Sequence, residues 1–231
     1  DIFLTLDINL QTILQDELNN SLIKTGAKSG NGVIIDPFSG EILAMATVPS
    51  LDLNNYQNYP IEHQHNRVIS DMYEPGSTFK IVAMTAKLEM LDEYNNQVYD
   101  CENGSFYYMD KEFSDHEKHS KLNISDILSY SSNIGMIKIA NELGNKNIFH
   151  FTRQFGFGSS TGISLPNESY GIVNPLHIWS GISGPVISIG QEIAVNNLQL
   201  AMAYSAIANG GYLLKPTIIK NIYYNDGSNY V

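Results

Sequence analysis

The sequence predicts an α+β fold, or more loosely a mixed α/β fold, in which helices pack on an antiparallel hairpin. Asp7 can cap a helix whose apolar residues recur at helical spacing, and Gly26 lies where a C-terminal cap belongs. Two apolar runs, 32–35 and 41–46, then flank a turn at 36–40 that contains proline and glycine. Because both runs are nearly continuous in apolar residues, we expect helices on both faces of a central hairpin.

Composition and charge exclude several classes of protein. The chain has 231 residues, of which 43% are hydrophobic and 16% are charged, so it can bury a substantial core and lacks the signature of disorder. A formal net charge of −11 argues against nucleic-acid binding, which needs a cationic surface. No apolar stretch approaches the ~18 residues that cross a bilayer. The start at Asp1, without Met or a signal peptide, indicates a piece excised from a longer protein.

Periodicity and turn residues predict the remaining elements. Ser77 is expected to begin a buried helix that runs to about Leu91, after a long irregular surface segment over 49–69. Residues 101–121 are expected to form loops and short strands. Further helices are predicted over 124–130, 134–143, 146–155 and 197–209, and an extended tail over 212–231.

Ser77 and Lys80 are a candidate nucleophile and base. A nucleophilic serine needs a base within hydrogen-bond reach, and a lysine three positions later lies on the same helix face. This spacing is expected about once by chance and also occurs at Ser21 and Lys24. Ser77 follows a Pro-Gly break at a helix start, where free N–H groups and the dipole stabilise an oxyanion, whereas Ser21 lies near a helix C-terminus. On spacing alone, a helix-capping role for Ser77 is the alternative.

Ser131 and Asn133 are a second candidate pair, which can present a hydroxyl and an amide side by side at a helix boundary. The Ser-x-Asn spacing is expected about twice by chance in this composition, and Ser29 and Asn31 form a second copy. Without further context, a turn or a helix N-cap is the favoured interpretation.

These residues resemble the penicillin-binding protein transpeptidases, whose nucleophile lies in a Ser-x-x-Lys signature. The segment 73–80, Tyr-Glu-Pro-Gly-Ser-Thr-Phe-Lys, resembles their active-site serine segment, and 131–136, Ser-Ser-Asn-Ile-Gly-Met, resembles their second motif. The Ser-Ser-Asn-Ile-Gly form is similar to the division-specific (FtsI-like and sporulation) branch more than to the elongation-specific one, which tends to carry Asp at the third position. The likeness to class B members covers nearly the whole chain and includes 5–7, 10–11, 26–30, 36–37, 40–46, 188–191 and 198–201.

The resemblance implies the fold shared by these transpeptidases and the serine β-lactamases. That fold has a central antiparallel sheet with helices on both sides and a helical subdomain. It implies one transpeptidase domain over 1–231. Within it, 1–48 supply a helix and the central hairpin, 49–175 a mainly helical subdomain with both serine motifs, and 176–231 a helix and an extended tail.

The resemblance also implies a role for each candidate residue. Ser77 attacks the bond between the last two D-alanines of a peptidoglycan stem peptide, and Lys80, kept neutral, accepts its proton. Ser131 passes a proton to the leaving amine, and Asn133 binds a peptide carbonyl of the donor strand. An amine of another stem then resolves the acyl-enzyme into a cross-link, whereas a β-lactam is trapped at the first step. No cofactor and no metal are implied.

The family's third motif, Lys-Thr-Gly on a strand at the sheet edge, comes after the second motif, and the sequence reaches Val231 without it. Lys24-Thr25-Gly26 precedes the nucleophile, ends the first helix and is not that motif. We therefore expect a C-terminally truncated domain whose sheet is partly missing. Because the absent strand supplies one wall of the cleft and an oxyanion N–H, we expect residues 1–231 alone to be inactive or poorly folded.

Two other functions stay open. A serine β-lactamase or a β-lactam sensor also uses Ser-Thr-Phe-Lys, although class D enzymes and related sensors usually have an aliphatic residue where Asn133 stands. A non-catalytic scaffold of the division machinery would keep the fold, although the four intact site residues weigh against it.

Several other conspicuous residues have structural explanations. Cys101 is the single cysteine, which excludes an intrachain disulfide and a Cys-based zinc site, and it is expected to be a buried or inert thiol. The pairs His63/His65 and His116/His119 are expected in exposed loops rather than in a metal site. Trp179, Phe155 and Phe157 are expected in the core.

The resemblance implies a protein of the cell inner membrane, with its catalytic domain on the periplasmic or extracellular side and its anchor absent from this chain. The expected partners are peptidoglycan stem peptides and β-lactam antibiotics. In the parent protein they also include the division glycan polymerase and other divisome proteins. Nucleic acid is not an expected partner.

Overall fold

The computed structural model describes residues 1–90, 97–223 and 229–230, and it confirms the mixed helix and strand content. In chain order the main elements are β1 (Ile2–Leu4), α1 (Ile8–Thr25), β2 (Gly30–Ile35), β3 (Ile42–Val48), α2 (Arg67–Ser70), α3 (Lys80–Met90), β4 (Val98–Asp100), β5 (Ser105–Tyr108), β6 (Lys111–Ser114), β7 (Lys121–Asn123), α4 (Ile124–Ser129), α5 (Asn133–Gln154), α6 (Ser183–Ser188), α7 (Asn197–Ala208), β8 (Ile219–Tyr223) and β9 (Asn229–Tyr230). Short 3₁₀ helices cover Leu53–Asn58, Ile61–His63, Gly76–Phe79, Glu102–Gly104 and Leu176–Ile178.

The chain forms two compact units. The first consists of Asp1–Met72, Ser159–Tyr170 and Asn196–Val231, and the second of Tyr73–Gly158 and Gly171–Val195. The described strands pair antiparallel in both units. The sheets of the first unit are β1-β8-β9 and β2-β3, and those of the second are β4-β7 and β5-β6.

Helix α1 begins and ends at the residues that the sequence predicted. Asp7 Oδ1 accepts hydrogen bonds from the backbone N–H groups of Asn9 and Leu10, at 2.8 and 3.1 Å. Gly26 adopts a left-handed conformation with φ 68° and donates to the Leu22 carbonyl. Lys24 and Thr25 thus lie in the last turn of this helix. This agrees with the expectation that Lys24-Thr25-Gly26 ends the first helix and is not the third motif of the family.

The predicted hairpin is formed by β2 and β3, with helices on both of its faces. Glycines of β2 let α1 approach closely, because a Cβ added at Gly32 would lie 2.9 Å from the Leu14 side chain. On the opposite face, Asn31 accepts a hydrogen bond of 2.9 Å from Asn197 of α7. The expectation that helices cover both faces is confirmed within this unit.

The core of the first unit corrects one expectation. Val68 and Ile69 were placed in an irregular surface segment, but they form the short helix α2 and are fully buried against Ile42, Leu198 and Met202. A helix of a single turn shows no periodicity in the sequence, so its burial depends on tertiary packing. The preceding residues 49–66 are mostly exposed and irregular or 3₁₀-helical, as predicted.

The second unit is built on the packing of α3 against α5. Lys87 of α3 is buried and pairs with Glu142 of α5 at 2.7 Å, and the Tyr99 hydroxyl donates to the same carboxylate at 2.8 Å. The two helices predicted over 134–143 and 146–155 form the single run α5, which is interrupted at Gly144, where φ is 74°. Helix α6, which is completely buried and contains Gly184 and Pro185, was not predicted.

The aromatic residues assigned to the core divide into two groups. Phe155 and Phe157 are buried, and the rings of Phe157 and Phe79 lie 4.8 Å apart. Trp179 is only half-buried, so its assignment to the core was wrong: its ring contacts Phe149 edge-on, and its Nε1 donates to the Asn174 carbonyl at 2.9 Å. A tryptophan with an indole N–H to satisfy often stays partly exposed. In the described ranges no helix combines the length and apolar character needed to span a bilayer.

Candidate active site

All four predicted site residues lie in the second unit. Ser77 is exposed and belongs to the 3₁₀ turn Gly76–Phe79, which runs directly into α3. Phe79 and Lys80 are buried, so the turn presents the serine outward while the next two side chains fix it to the core. The expectation of a buried helix that begins at the serine is confirmed as far as Met90, and its predicted end near Leu91 lies outside the described residues.

The backbone just before Ser77 is supported by the segment around Gly190. The Gly76 N–H donates to the Gly190 carbonyl at 3.0 Å. A Cβ added at Gly190 would lie only 2.0 Å from the Gly76 oxygen, and Gly190 has a φ of 77°. Both facts require glycine at position 190. The resemblance of 188–191 to the family therefore corresponds to a backbone contact beside Ser77.

Lys80 is almost completely buried, with 1% of its surface exposed. Its Nζ donates to the Ser131 hydroxyl oxygen at 2.9 Å and also to the Ser131 carbonyl oxygen. Burial lowers the pKa of Lys80 to about 8, although the Asp115 carboxylate raises it in part. At pH 7 roughly a tenth of the amine is therefore uncharged, far more than for an ordinary lysine, and a general base reacts in this form.

Ser131 lies in the turn between α4 and α5 with a left-handed φ of 54°. This conformation turns both the hydroxyl and the carbonyl oxygen of one residue to the same amine. Backbone strain of this kind clusters at functional sites. The structure thus brings Lys80 and Ser131 into direct contact.

Asn133 begins α5 and is half-buried. Its carboxamide nitrogen donates to the Ser114 carbonyl at 2.9 Å. The residue between the two motif positions, Ser132, is the N-cap of the helix and accepts from the Gly135 N–H at 2.9 Å. The N-cap considered as the alternative to a catalytic motif is therefore real, and Ser132 forms it rather than Ser131 or Asn133.

Within the described part of the chain, Ser77 Oγ makes no hydrogen bond, and Lys80 Nζ is bonded to Ser131 instead. Catalytic hydrogen bonds are often long in free enzymes and tighten only when substrate binds. The arrangement is therefore an exposed hydroxyl one helical turn ahead of a buried amine, with a second hydroxyl already on that amine.

Residues 30–230 match the family model of the penicillin binding protein transpeptidase domain. The chain belongs to this family. A peptidoglycan D,D-transpeptidase FtsI homolog of Mesostigma viride is 35% identical over 233 residues, which cover 95% of this chain and 39% of that protein. Peptidoglycan D,D-transpeptidase FtsI of Escherichia coli K12 is 34% identical over 222 residues, with 95% and 37% covered. The chain spans less than half the length of these two curated relatives.

Solved structures agree with this family assignment. Penicillin binding protein 3 of Mycobacterium tuberculosis, complexed with aztreonam, superposes with a TM-score of 0.89 at 32% identity, covering 99% of this chain and 52% of that one. The predicted penicillin-binding-protein transpeptidase fold is confirmed, and so is the resemblance to the FtsI-like class B branch.

Sequence reasoning missed one residue at the transpeptidase motifs. Asp115 follows β6, and its carboxylate accepts hydrogen bonds from Ser132, Asn133 and Ile134. It lies 18 positions before Asn133 in a polar loop, so no spacing rule connects them. The sequence signal that could have pointed to Asp115 is weak: a carboxylate is favourable near a helix N-terminus, and α5 begins in the motif region.

The cysteine and the histidines considered in the sequence analysis are not among the four predicted site residues. Cys101 is buried, as expected, and burial raises the pKa of its thiol, which makes it a poor nucleophile. His116 is exposed, as expected, but His119 is half-buried and its ring stacks on Tyr130 with centroids 4.5 Å apart.

Proposed function

We propose that this chain carries the nucleophile half of a serine-type peptidoglycan D,D-transpeptidase that forms cell-wall cross-links at division and is inhibited by β-lactams. The site lies within one transpeptidase domain that includes residues 1–231. Family membership and the names of its relatives support the reaction class, and the contact of Lys80 with Ser131 supports the roles of the site residues.

In the proposed acylation, Ser77 Oγ attacks the carbonyl carbon between the last two D-alanines of a stem peptide, and its proton moves to uncharged Lys80. The amine then returns a proton through the Ser131 hydroxyl to the leaving D-alanine nitrogen, as the carbon–nitrogen bond breaks. Asn133 holds a peptide carbonyl of the donor. An amine of a second stem attacks the ester, which releases Ser77 and forms the cross-link.

The observation that carries this proposal is the hydrogen bond of 2.9 Å between Lys80 Nζ and Ser131 Oγ. It provides a route for a proton from a buried amine to a second hydroxyl within hydrogen-bond reach. A structural lysine would gain more from a carboxylate partner, as Lys87 does with Glu142.

Labelling with a fluorescent penicillin tests the proposal. The full encoded protein is expected to form one covalent adduct, which peptide mapping places on Ser77. Ser77→Ala should abolish the adduct, and Lys80→Met should slow its formation by about 10²- to 10⁴-fold. Ser21→Ala, which removes the exposed serine of the other Ser-x-x-Lys copy, is the matched control and should label normally.

Three outcomes contradict the proposal. Absence of an adduct in the full encoded protein excludes an acylating enzyme, and an adduct on another serine excludes Ser77 as the nucleophile. Rapid release of the label to water identifies a β-lactamase instead of a transpeptidase. The sequence contains Lys-Thr-Gly only at 24–26, so the 231-residue chain alone is expected to label slowly or not at all.

We also propose that the protein acts outside the cytoplasmic membrane, beside the glycan polymerase and other proteins of the division machinery. The support is the relationship to FtsI-type transpeptidases. Replacing the chromosomal allele with Ser77→Ala is expected to stop septation while the protein still localises to the septum. Completed septation with the inactive allele would instead identify a scaffold.

A further inference from the structure

Asp115 stands at the end of the β5-β6 hairpin, immediately after Ser114. Its own N–H donates to the Gly104 carbonyl at 3.1 Å, which fixes the loop that carries it. The side chain is half-buried and points to the N-terminus of α5.

The Asp115 carboxylate binds three consecutive residues of the second motif region. Oδ1 accepts from the backbone N–H groups of Asn133 and Ile134, at 2.6 and 2.9 Å. Oδ2 accepts from the Ser132 hydroxyl at 2.6 Å. Charge-assisted hydrogen bonds are the strongest class available to a neutral helix terminus. Asp115 therefore holds the backbone that carries Ser131 and Asn133 in place through three hydrogen bonds.

The backbone next to Asp115 also holds the Asn133 side chain, because the Ser114 carbonyl accepts a hydrogen bond from the Asn133 carboxamide. Two successive residues at the end of β6 thus hold both the main chain and the side chain of Asn133. A fixed amide orientation is what a carbonyl-binding group needs before substrate arrives.

We propose that Asp115 is a positioning residue for acylation, which holds the Ser131–Asn133 turn in register with Lys80 and sets the electrostatic field at that amine. The inference rests on the proposed function and extends it to a residue whose carboxylate binds residues 132–134. Its two effects separate experimentally, since hydrogen bonds and charge can be removed independently.

The electrostatic effect has a defined sign. The Asp115 charge raises the pKa of Lys80, whereas burial lowers it. Helices α3 and α5 pack together around Lys80, and most of their other ionisable groups have partners. Lys87 pairs with Glu142, Lys138 pairs with Glu102, and Arg153 donates to the Phe157 carbonyl. The remaining ones are Glu89, Lys146 and the exposed His150. Removal of the Asp115 charge should therefore lower the pKa of Lys80.

The test measures the rate of acylation by a fluorescent penicillin as a function of pH in the full encoded protein. Asp115→Asn keeps the shape but loses the charge and half of the acceptor capacity. We expect the plateau rate to fall by on the order of 10- to 100-fold, because the motif turn loses its register. The midpoint of the rise with pH should move below that of the unmodified protein.

Three further variants isolate the two effects. Ser132→Ala removes the hydroxyl that donates to Asp115 and to Cys101 Sγ and that accepts from the Gly135 N–H, but it leaves the Asp115 charge. It should therefore lower the plateau without moving the midpoint. Asp115→Glu keeps the charge, so its midpoint should match the unmodified protein. Asp110 is an exposed carboxylate with φ 64° at the tip of the same hairpin. Asp110→Asn therefore controls for a general loss of negative charge, and it should change neither the plateau rate nor the midpoint.

An Asp115→Asn profile with an unchanged midpoint and a plateau within twofold of the unmodified protein overturns the inference. A lower labelled fraction with unchanged rate and midpoint also overturns it, because that result reports misfolding alone. If Asp115→Asn does not fold, Ser132→Ala decides. A plateau rate of Ser132→Ala equal to that of the unmodified protein then overturns the inference. Failure of the unmodified protein to label at Ser77 overturns the proposed function, and with it this inference.

Discussion

The left-handed backbone of Ser131 is the most unusual conformation at the site, since a side chain at φ 54° costs roughly 1–2 kcal/mol. Ser131→Gly removes both this strain and the hydroxyl, whereas Ser131→Ala removes the hydroxyl alone. If the hydroxyl relays the proton, both variants should slow acylation equally, by about 10²- to 10⁴-fold. Thermal unfolding should show Ser131→Gly as stable as the unmodified protein or up to about 1 kcal/mol more stable.

The comparison of these two variants decides what the residue contributes. A Ser131→Gly protein that acylates at the unmodified rate would show that only the carbonyl contact to Lys80 matters, and would remove the hydroxyl from the mechanism.

If Lys80 is the base of the proposed acylation, the rate of that step depends on pH. The proton of Ser77 can move only to the uncharged amine, and burial lowers the pKa of that amine to about 8. The rate of penicillin acylation should therefore rise nearly tenfold from pH 6 to pH 7 and about fivefold from pH 7 to pH 8, and above the pKa it should level off. Stopped-flow labelling over this range measures the midpoint. A rate that stays flat across it would mean that Lys80 is already uncharged or is not the base.

At the scale of elements, the contact between Gly76 and Gly190 fixes the turn that carries Ser77 into α3. Gly190→Ala would put a Cβ 2.0 Å from a backbone oxygen, so the two segments must separate. We expect a loss of about 3 kcal/mol in the free energy of unfolding, from overpacking and left-handed strain together. Acylation should slow as well, because the displaced backbone carries Ser77.

Gly210→Ala is the matched control for this substitution. Its φ of 89° imposes similar strain, but a Cβ there meets no atom within 4 Å. A loss of about 1 kcal/mol without change in acylation is expected. Equal effects of the two substitutions on unfolding would show that the contact with Gly76 contributes nothing.

At the scale of the whole molecule, the hairpin has one protected edge and one open edge. The outer edge of β3 is covered, since Met45 donates to and accepts from the Gln11 side chain, at 2.8 and 2.9 Å. Among the described strands, β2 pairs only with β3. In the 231-residue chain, every second amide of β2 should therefore exchange with solvent much faster than its neighbours.

Hydrogen exchange resolved by residue measures this difference, with the Met45 amide as the protected reference. Uniform protection along β2 would contradict the open edge and indicate that a second strand, from this chain or another copy, pairs with it. An open apolar edge also predicts aggregation of the 231-residue chain at high concentration.

Much of this fold was predictable, because the signals are local. The Asp7 cap, the left-handed Gly26 and the turn at 36–40 act within a few residues, so each marks an element boundary in the sequence. Helices α2 and α6 were not predicted, because one or two turns carry no measurable periodicity and their burial depends on distant partners.

The sequence by itself determined the residue types of the site, since the two serine motifs and their resemblance to a transpeptidase family can be recognised without coordinates. Only the tertiary structure decided that Lys80 bonds to Ser131, 51 positions away, and that Asp115 holds the helix carrying Asn133. The reason is physical, because a motif contains only residues that are close in the sequence. The Lys80 contact needs α3 to pack on α5, and the Asp115 contact needs the end of β6 to lie against the start of α5.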